Sequence, residues 1–346
     1  MVSDRTVGAG GPASIAGHSR SAIATDASRA RRVNATANCC GVADSTLADR
    51  RRKWVVISGA TGGIGFEIAR GLARTGYSLV LIGRSEPRLA LARSGLEAEM
   101  DRGEIRTYRA DLSELRATDQ VASAISEDLD RIDGLVNNAG GIFAPFQRTS
   151  EGIERTWALN VLSPFVLTEG LRGRLAASGG GRVVNISSAA HGTGRLRWED
   201  LQRQGAYSAW GAYAQSKLAL LLLTYEWARR YREIPVTFNA VHPGFVRTHF
   251  GRSLVGPLRG LVRFAMIGAV SARTGARTPL YLLTADGLGS GGYFAHGRPR
   301  RSSARSYRTD DARRLYEECA REVARILWDR PIGRGPPTGA ATGTDS

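Results

Sequence analysis

The chain has 346 residues, 42% hydrophobic and 23% charged, ordinary proportions for a globular protein with room for one large α/β domain. Its net charge of +16 comes from 48 Lys and Arg against 32 Asp and Glu, but the excess is spread along the chain, which argues against a focused nucleic-acid interface. Three cysteines without framework spacing exclude a disulfide scaffold, and the longest apolar run, LALLLL at 218–223, is far short of the ~20 residues of a membrane span, so a soluble cytoplasmic protein without an integral membrane segment is expected.

Residues 1–50 carry six arginines and four aspartates but no glutamate or aromatic residue, a composition that cannot build a core; a disordered tail is expected. From Trp54 onward, short β-like runs alternate with segments of helical periodicity: WVVIS, YSLVLIG, EIRTYRA, DGLVNNA, GRVVNIS, VTFNAVH and GGYF. Strands separated by helices of this length require crossover connections. The pattern predicts a single Rossmann-like, doubly wound α/β domain over 54–298, about seven parallel strands with helices on both faces. An arginine-rich linker at 299–309, a helix over 310–330 and a disordered tail at 331–346 follow. The seven arginines of 298–314 are interrupted by Asp310 and Asp311 and read as a solvated surface rather than a nucleic-acid site.

The first strand runs straight into SGATGGIG, which places Gly59, Gly63 and Gly65 between a strand and a helix beginning near Ile64. Such a turn lets backbone N–H groups approach a pyrophosphate at a helix N-terminus, where the helix dipole favours negative charge. Its spacing is G-x-x-x-G-x-G, not the commoner G-x-G-x-x-G. The second strand ends in Gly83 and Arg84 with no carboxylate before Glu86. An acid there would take the ribose 2′-hydroxyl of NAD, whereas arginine suits a 2′-phosphate, so NADP(H) is the expected cofactor.

Only two lysines occur, Lys53 and Lys217, against 46 arginines. Lys217 stands four residues after Tyr213, on one face of the helix formed by SAWGAYAQSKLALLLLTYEW. A phenol with a pKa near ~10 is a poor proton donor and acceptor at neutral pH, and a nearby ammonium would bring it toward the working range. Arginine's planar fork is a poor substitute for that compact ammonium. NNAG, Asn137 to Gly140, follows the fourth strand, and Ser187 and Ser188 follow the fifth. Ligands of such sheets bind beyond the carboxyl ends of the strands, so these pieces converge on one crevice. His191, His242 and His249 lack metal-ligand spacing, and no metal site is expected.

This constellation resembles the short-chain dehydrogenase/reductase family from Trp54 to about Phe294. The family's T-G-x-x-x-G-x-G turn is matched by Ser58 to Gly65, with serine first, and the resemblance implies cofactor contacts at Ser58, Gly59, Thr61, Gly62, Gly63, Ile64 and Gly65. It further implies adenine-side contacts at Asp111 and Leu112, contacts at Asn138, Ala139 and Gly140, and nicotinamide-side contacts at Pro243, Gly244, Val246 and Thr248. The catalytic asparagine falls on Asn160, the serine on Ser188, and the tyrosine and lysine on Tyr213 and Lys217, which also hold the cofactor. Asn160 would hold a water that resupplies the proton.

GRVVNISSAAH, the 24 residues between Ser188 and Tyr213, and NAVHPGFVRT look most like the retinol-dehydrogenase-like branch and related bacterial ketoreductases. The expected activity is NADPH-dependent reduction of a bulky ketone or aldehyde, with an aromatic polyketide ketone as one candidate. The alternatives are an NADP-dependent retinol- or sterol-type alcohol dehydrogenase and a non-catalytic NADP-binding regulator. A lid over 249–270 and a loop over 192–210 are expected to wall the substrate, offering Trp198, Trp210 and Phe264.

Overall fold

β-Branched and leucine-rich runs give the strands β1 (Trp54–Ser58), β2 (Ser78–Gly83), β3 (Ile105–Arg109), β4 (Gly134–Asn137), β5 (Gly181–Ile186), β6 (Val236–His242), β7 (Tyr293–Ala295) and β8 (Arg298–Pro299). The computed structural model describes residues 52–205, 207–244 and 270–328. The strands form one sheet in the order β3-β2-β1-β4-β5-β6-β7-β8. The first seven are parallel, as the alternating pattern requires, and β8 adds an antiparallel pair of residues to β7. The sheet therefore has one strand more than expected, a two-residue edge too short to leave a periodic signal.

The helices among the described residues are α1 (Gly63–Ala73), α2 (Glu86–Glu97), α3 (Leu115–Asp128), α4 (Arg155–Trp157), α5 (Ser163–Ala177), α6 (Ala209–Arg230), α7 (Ala272–Thr284) and α8 (Thr309–Trp328). Alternation along the strands sends side chains to two cores. Val55, Ile57, Leu79 and Leu81 meet Ile68, Leu72, Leu89 and Leu282 from α1, α2 and α7. Trp54, Val56, Val80 and Ile82 share the other core with Val121, Phe165, Leu222 and Leu315 from α3, α5, α6 and α8. Central strands buried on both faces explain why β1 and β2 read as unbroken apolar runs rather than alternating ones.

α8 is joined to this second core by Ala312, Leu315, Cys319 and Ile326. A carboxylate anchors it: Glu169 of α5 accepts from Trp227 Nε1 at 2.8 Å, Tyr231 Oη at 2.7 Å and Tyr316 Oη at 3.0 Å. In the approach to α8, Arg298, Arg300 and Arg301 stay exposed. Ser302 Oγ bonds to Tyr225 Oη and Ser306 Oγ, each at 2.7 Å, and the Tyr307 ring stacks on Tyr225. Among the described residues no helix is long and apolar enough to cross a membrane.

Candidate active site

The glycine turn closes between β1 and α1. Gly59 and Gly63 have φ of +67° and +57°, a left-handed backbone that favours glycine. A Cβ on Gly65 would lie 2.5 Å from the Gly59 carbonyl oxygen and 2.5 Å from Asn138 Nδ2, so only glycine permits this closure, whereas Gly62 faces open space. No side chain caps the start of α1, and its first turn holds no acid. Together these leave a helix N-terminus suited to a pyrophosphate. Ser58 ties the turn to β4: its Oγ donates to Val136 O at 3.2 Å and accepts from the amides of Asn138 at 2.9 Å and Ala139 at 3.0 Å. Asn138 Nδ2 returns bonds to the carbonyls of Ser58 and Gly59.

At the adenosine end, Arg84 leaves β2 with an exposed side chain, Nη1 3.9 Å from Asp111. Asp111 Oδ1 accepts from Ser113 N and Oγ, so the residue both bends the chain after β3 and keeps a carboxylate oxygen outward. Leu112 is buried beside it. Thr61 packs against Gly83, where a Cβ would lie 2.7 Å from its methyl. These residues fit a dinucleotide: the glycine turn suits a pyrophosphate, and Arg84 leaves a guanidinium exposed just beyond β2. Pro243 and Gly244, the latter at φ +90°, follow β6. Val246, Thr248, His249, Phe264 and the expected lid lie outside the described residues.

The chemical end assembles beyond β4 and β5. Asn160 sits fully buried in a π-helical turn, Ala158–Leu162, between α4 and α5. Its Oδ1 accepts from Gly141 N and its Nδ2 donates to Gly141 O and Ser216 Oγ, each at 2.9 Å. Both amide hydrogens are thereby used, so the side chain braces the loop after β4 instead of offering a donor to water. Ser187 Oγ donates to Lys217 O at 3.3 Å, while the Ser188 hydroxyl lies near enough to the Tyr213 phenol to oppose the rise in its pKa. The hydroxyl of Ser188 also accepts from Ala190 N, capping a short 3-10 turn at Ala189–Thr193.

Lys217 Nζ donates to Ile186 O at 2.9 Å and lies 5.7 Å from the centre of the Tyr213 ring. A Cβ on Gly140 would lie 3.1 Å from Asn160 Oδ1 and 3.4 Å from that nitrogen, so the loop runs close against both side chains. Electrostatics differ from the sequence expectation. Burial pushes Tyr213 up to about 12, with the Ser188 hydrogen bond opposing, and lowers Lys217 to about 8. The ammonium faces a carbonyl rather than the phenol oxygen, and desolvation dominates both groups.

The walls also differ. Trp198 packs on the main core under the Arg314 guanidinium, 4.2 Å from its ring centre, because α8 covers that side. Trp210 is 40% exposed, its ring 6.0 Å from that of Tyr213, and Ile142, Ala190 and Ala209 complete an apolar cluster around the tyrosine. Tyr207 Oη donates to Phe143 O at 2.7 Å and Glu154 Oε1 at 3.1 Å, tying the loop after β4 to the start of α6. Gly141, Ser216 and Tyr207 were not singled out from sequence. Gly141 and Ser216 adjoin recognised motifs, but their role depends on a contact 19 or 56 residues away.

Residues 53–256 match the family model described as short chain dehydrogenase. Mouse retinol dehydrogenase 13 is 35% identical over 292 residues, covering 82% of this chain and 87% of its own. Bovine retinol dehydrogenase 12 is 36% identical, at 80% and 88% coverage, and zebrafish polyprenol dehydrogenase is 37% identical, at 75% and 83%. Among solved structures, a protein from Mycobacterium paratuberculosis superposes with a TM-score of 0.63 at 31% identity, covering 78% of this chain and 93% of its own. A protein described as a short chain dehydrogenase from Shigella flexneri, complexed with NADP, gives 0.56 at 26% identity, covering 72% and 99%.

Proposed function

This chain belongs to the short-chain dehydrogenase/reductase family, in its retinol-dehydrogenase-like branch, and on that footing we propose that it is an NADP(H)-dependent oxidoreductase interconverting a bulky apolar carbonyl and its alcohol. The observation that carries the reading is the buried Tyr213 phenol with Ser188 near it, Lys217 Nζ 5.7 Å from its ring centre and bonded to Ile186 O, and Asn160 bonded to Ser216, beyond the carboxyl ends of β4 and β5. NADPH, when bound, supplies the hydride. The hydroxyls of Ser188 and Tyr213 hold the substrate oxygen. Tyr213, a phenol that is neutral at neutral pH and that burial pushes further up to about 12, gives that oxygen a proton as negative charge develops. Lys217 orients ribose hydroxyls and supplies positive charge nearby. Asn160 fixes the Gly141 backbone and Ser216, and so the floor on which Lys217 rests.

The apolar surroundings of Tyr213, with Trp210 half-open beside it, favour a substrate with a large hydrocarbon body. Retinol and polyprenol, named in two groups of relatives, are long apolar alcohols. They favour a second reading, alcohol oxidation on the same site; direction then follows the cofactor ratio. They lend no weight to the narrower candidate of an aromatic polyketide ketone. A panel of all-trans-retinal, steroid ketones and aromatic ketones, with NADPH consumption followed, tests the proposal: turnover of at least one is expected. Tight NADPH binding without consumption across the panel would instead support a regulator.

Cofactor choice has its own test. Arg84→Ala is expected to weaken NADPH binding ~10- to 100-fold while leaving NADH nearly unchanged, the loss of one charge-assisted phosphate contact. An unchanged preference would remove Arg84 from the assignment.

A further inference from the structure

Two histidines outside the catalytic set grip one peptide bond. His191 Nδ1 lies 2.6 Å from the Ser188 carbonyl oxygen, and its Nε2 accepts from the Ser303 amide at 3.1 Å. A ring nitrogen that accepts a backbone N–H carries no proton, so the proton sits on Nδ1 and is donated to Ser188 O. On the other side of the same peptide, the Ala189 amide donates to His242 Nδ1 at 3.3 Å. One ring gives a proton to the carbonyl and the other takes one from the amide. The rings come from different elements, His191 from the 3-10 turn and His242 from the end of β6.

The clamp stands where the sheet stops. Ser187 N donates to Val241 O at 2.8 Å, at the end of the β5–β6 ladder. Ser188 lies one residue beyond it in extended backbone; its Oγ accepts from the Ala190 amide and its carbonyl from the His191 amide, each at 3.2 Å, so the following peptide and the turn it opens share in fixing the hydroxyl. We propose that His191 and His242 are positioning residues that clamp the Ser188–Ala189 peptide and so aim the Ser188 hydroxyl at Tyr213 and the substrate oxygen. This rests on the role given to Ser188 above.

The rings are suited to the task. Burial holds both below the ordinary imidazole value, His242 at about 4 with His296 and His191 adding repulsion, so both stay neutral at neutral pH. His191 is further packed edge-on against the Tyr293 ring of β7. Its bond from Ser303 reaches into the segment fixed by Ser302, Tyr225 and Tyr307. The approach to α8 thereby sets the tautomer of a residue three positions from the reacting serine.

Asparagine and leucine separate this role from mere packing. Asparagine can place Nδ2 where His191 donates, or Oδ1 where His242 accepts; leucine can do neither. With NADPH and all-trans-retinal, His191→Leu and His242→Leu are expected to lower kcat ~10- to 100-fold with little change in the KM for NADPH, the size expected for a misplaced catalytic group. The asparagine variants should recover most of that loss. Amide exchange of residues 187–194, followed by mass spectrometry, should accelerate in the leucine variants and remain native in the asparagine ones. Should a leucine variant fail to fold, glutamine replaces it, since it reaches the Nε2 position and not Nδ1.

Added to Ser188→Ala, His242→Leu should cost nothing further, because both changes remove the same hydroxyl from the reaction. Undiminished kcat and native exchange in both leucine variants, while Ser188→Ala is impaired, would overturn the clamp. A Ser188→Ala enzyme with full kcat would instead overturn the role of Ser188, and the exchange measurement would then decide the clamp alone.

Discussion

Tyr213→Phe is expected to lower kcat by about 10³-fold while leaving NADPH affinity within about twofold, because general acid catalysis contributes ~10²–10⁴-fold and the phenol oxygen is the only atom removed. The ring itself is retained, so its packing against Ile142, Ala190 and Ala214 survives. The phenol is buried, lies near Ser188, and is neutral at neutral pH, which suits it to donate a proton in the direction of carbonyl reduction. Losing it leaves the substrate oxygen with Ser188 alone. Steady-state turnover paired with a fluorescence titration of NADPH separates the two effects. Turnover at the wild-type rate would show that another group donates the proton.

The second large effect is expected at Lys217→Arg, a substitution that conserves charge in a chain with 46 arginines and two lysines. Lys217 is 5% exposed and its ammonium fits between the Ile186 carbonyl and the backbone at Gly140. Arginine puts a broader, planar group into that slot and cannot present one compact donor, so a loss of ~10²-fold or more in kcat/KM is expected together with ~1–3 kcal/mol of overpacking strain. Burial lowers Lys217 to about 8, so its positive charge is present below that pH and lost as pH rises through it. The wild-type reduction rate should therefore carry an alkaline limb near that value, and the residual rate of the arginine variant should lack it. Lys53→Arg is the control: Lys53 is exposed at the edge of β1, 5.8 Å from the Tyr77 ring, and its exchange should change neither rate nor stability measurably.

What could be read from the residues was whatever repeats locally or needs one residue type at a fixed offset. The glycine turn was legible because the positive φ of Gly59 and Gly63 and the approach of Gly65 to the Gly59 carbonyl arise within seven residues, although Asn138 adds a distant contact to Gly59 and Gly65. The Tyr213 and Lys217 pair was legible because helical spacing puts them on one face. The parallel order was legible because crossover lengths permit little else. Trp198 was not, since whether it faces a substrate or a helix depends on α8, more than a hundred residues later. The ionisation of Tyr213 was not, since it follows from burial and from where Lys217 Nζ points.

The same division separates Asn160 from its partners. Its identity stood out in WALNVLSPF, but its bonds to Gly141 and Ser216 arise only when β4, the π-helical turn and α6 are brought together. In the chain His191 and His242 could be read only as bases or metal ligands, and their spacing fitted no metal site. The fold sets them on opposite edges of one peptide and hands His191 its tautomer through Ser303. The sequence by itself determined the fold class and marked the glycine turn and the residues proposed to react, because those depend on local spacing and residue chemistry. The tertiary structure alone decided protonation, orientation and the supporting bonds, because desolvation and hydrogen-bond partnership are properties of atoms far apart in the chain.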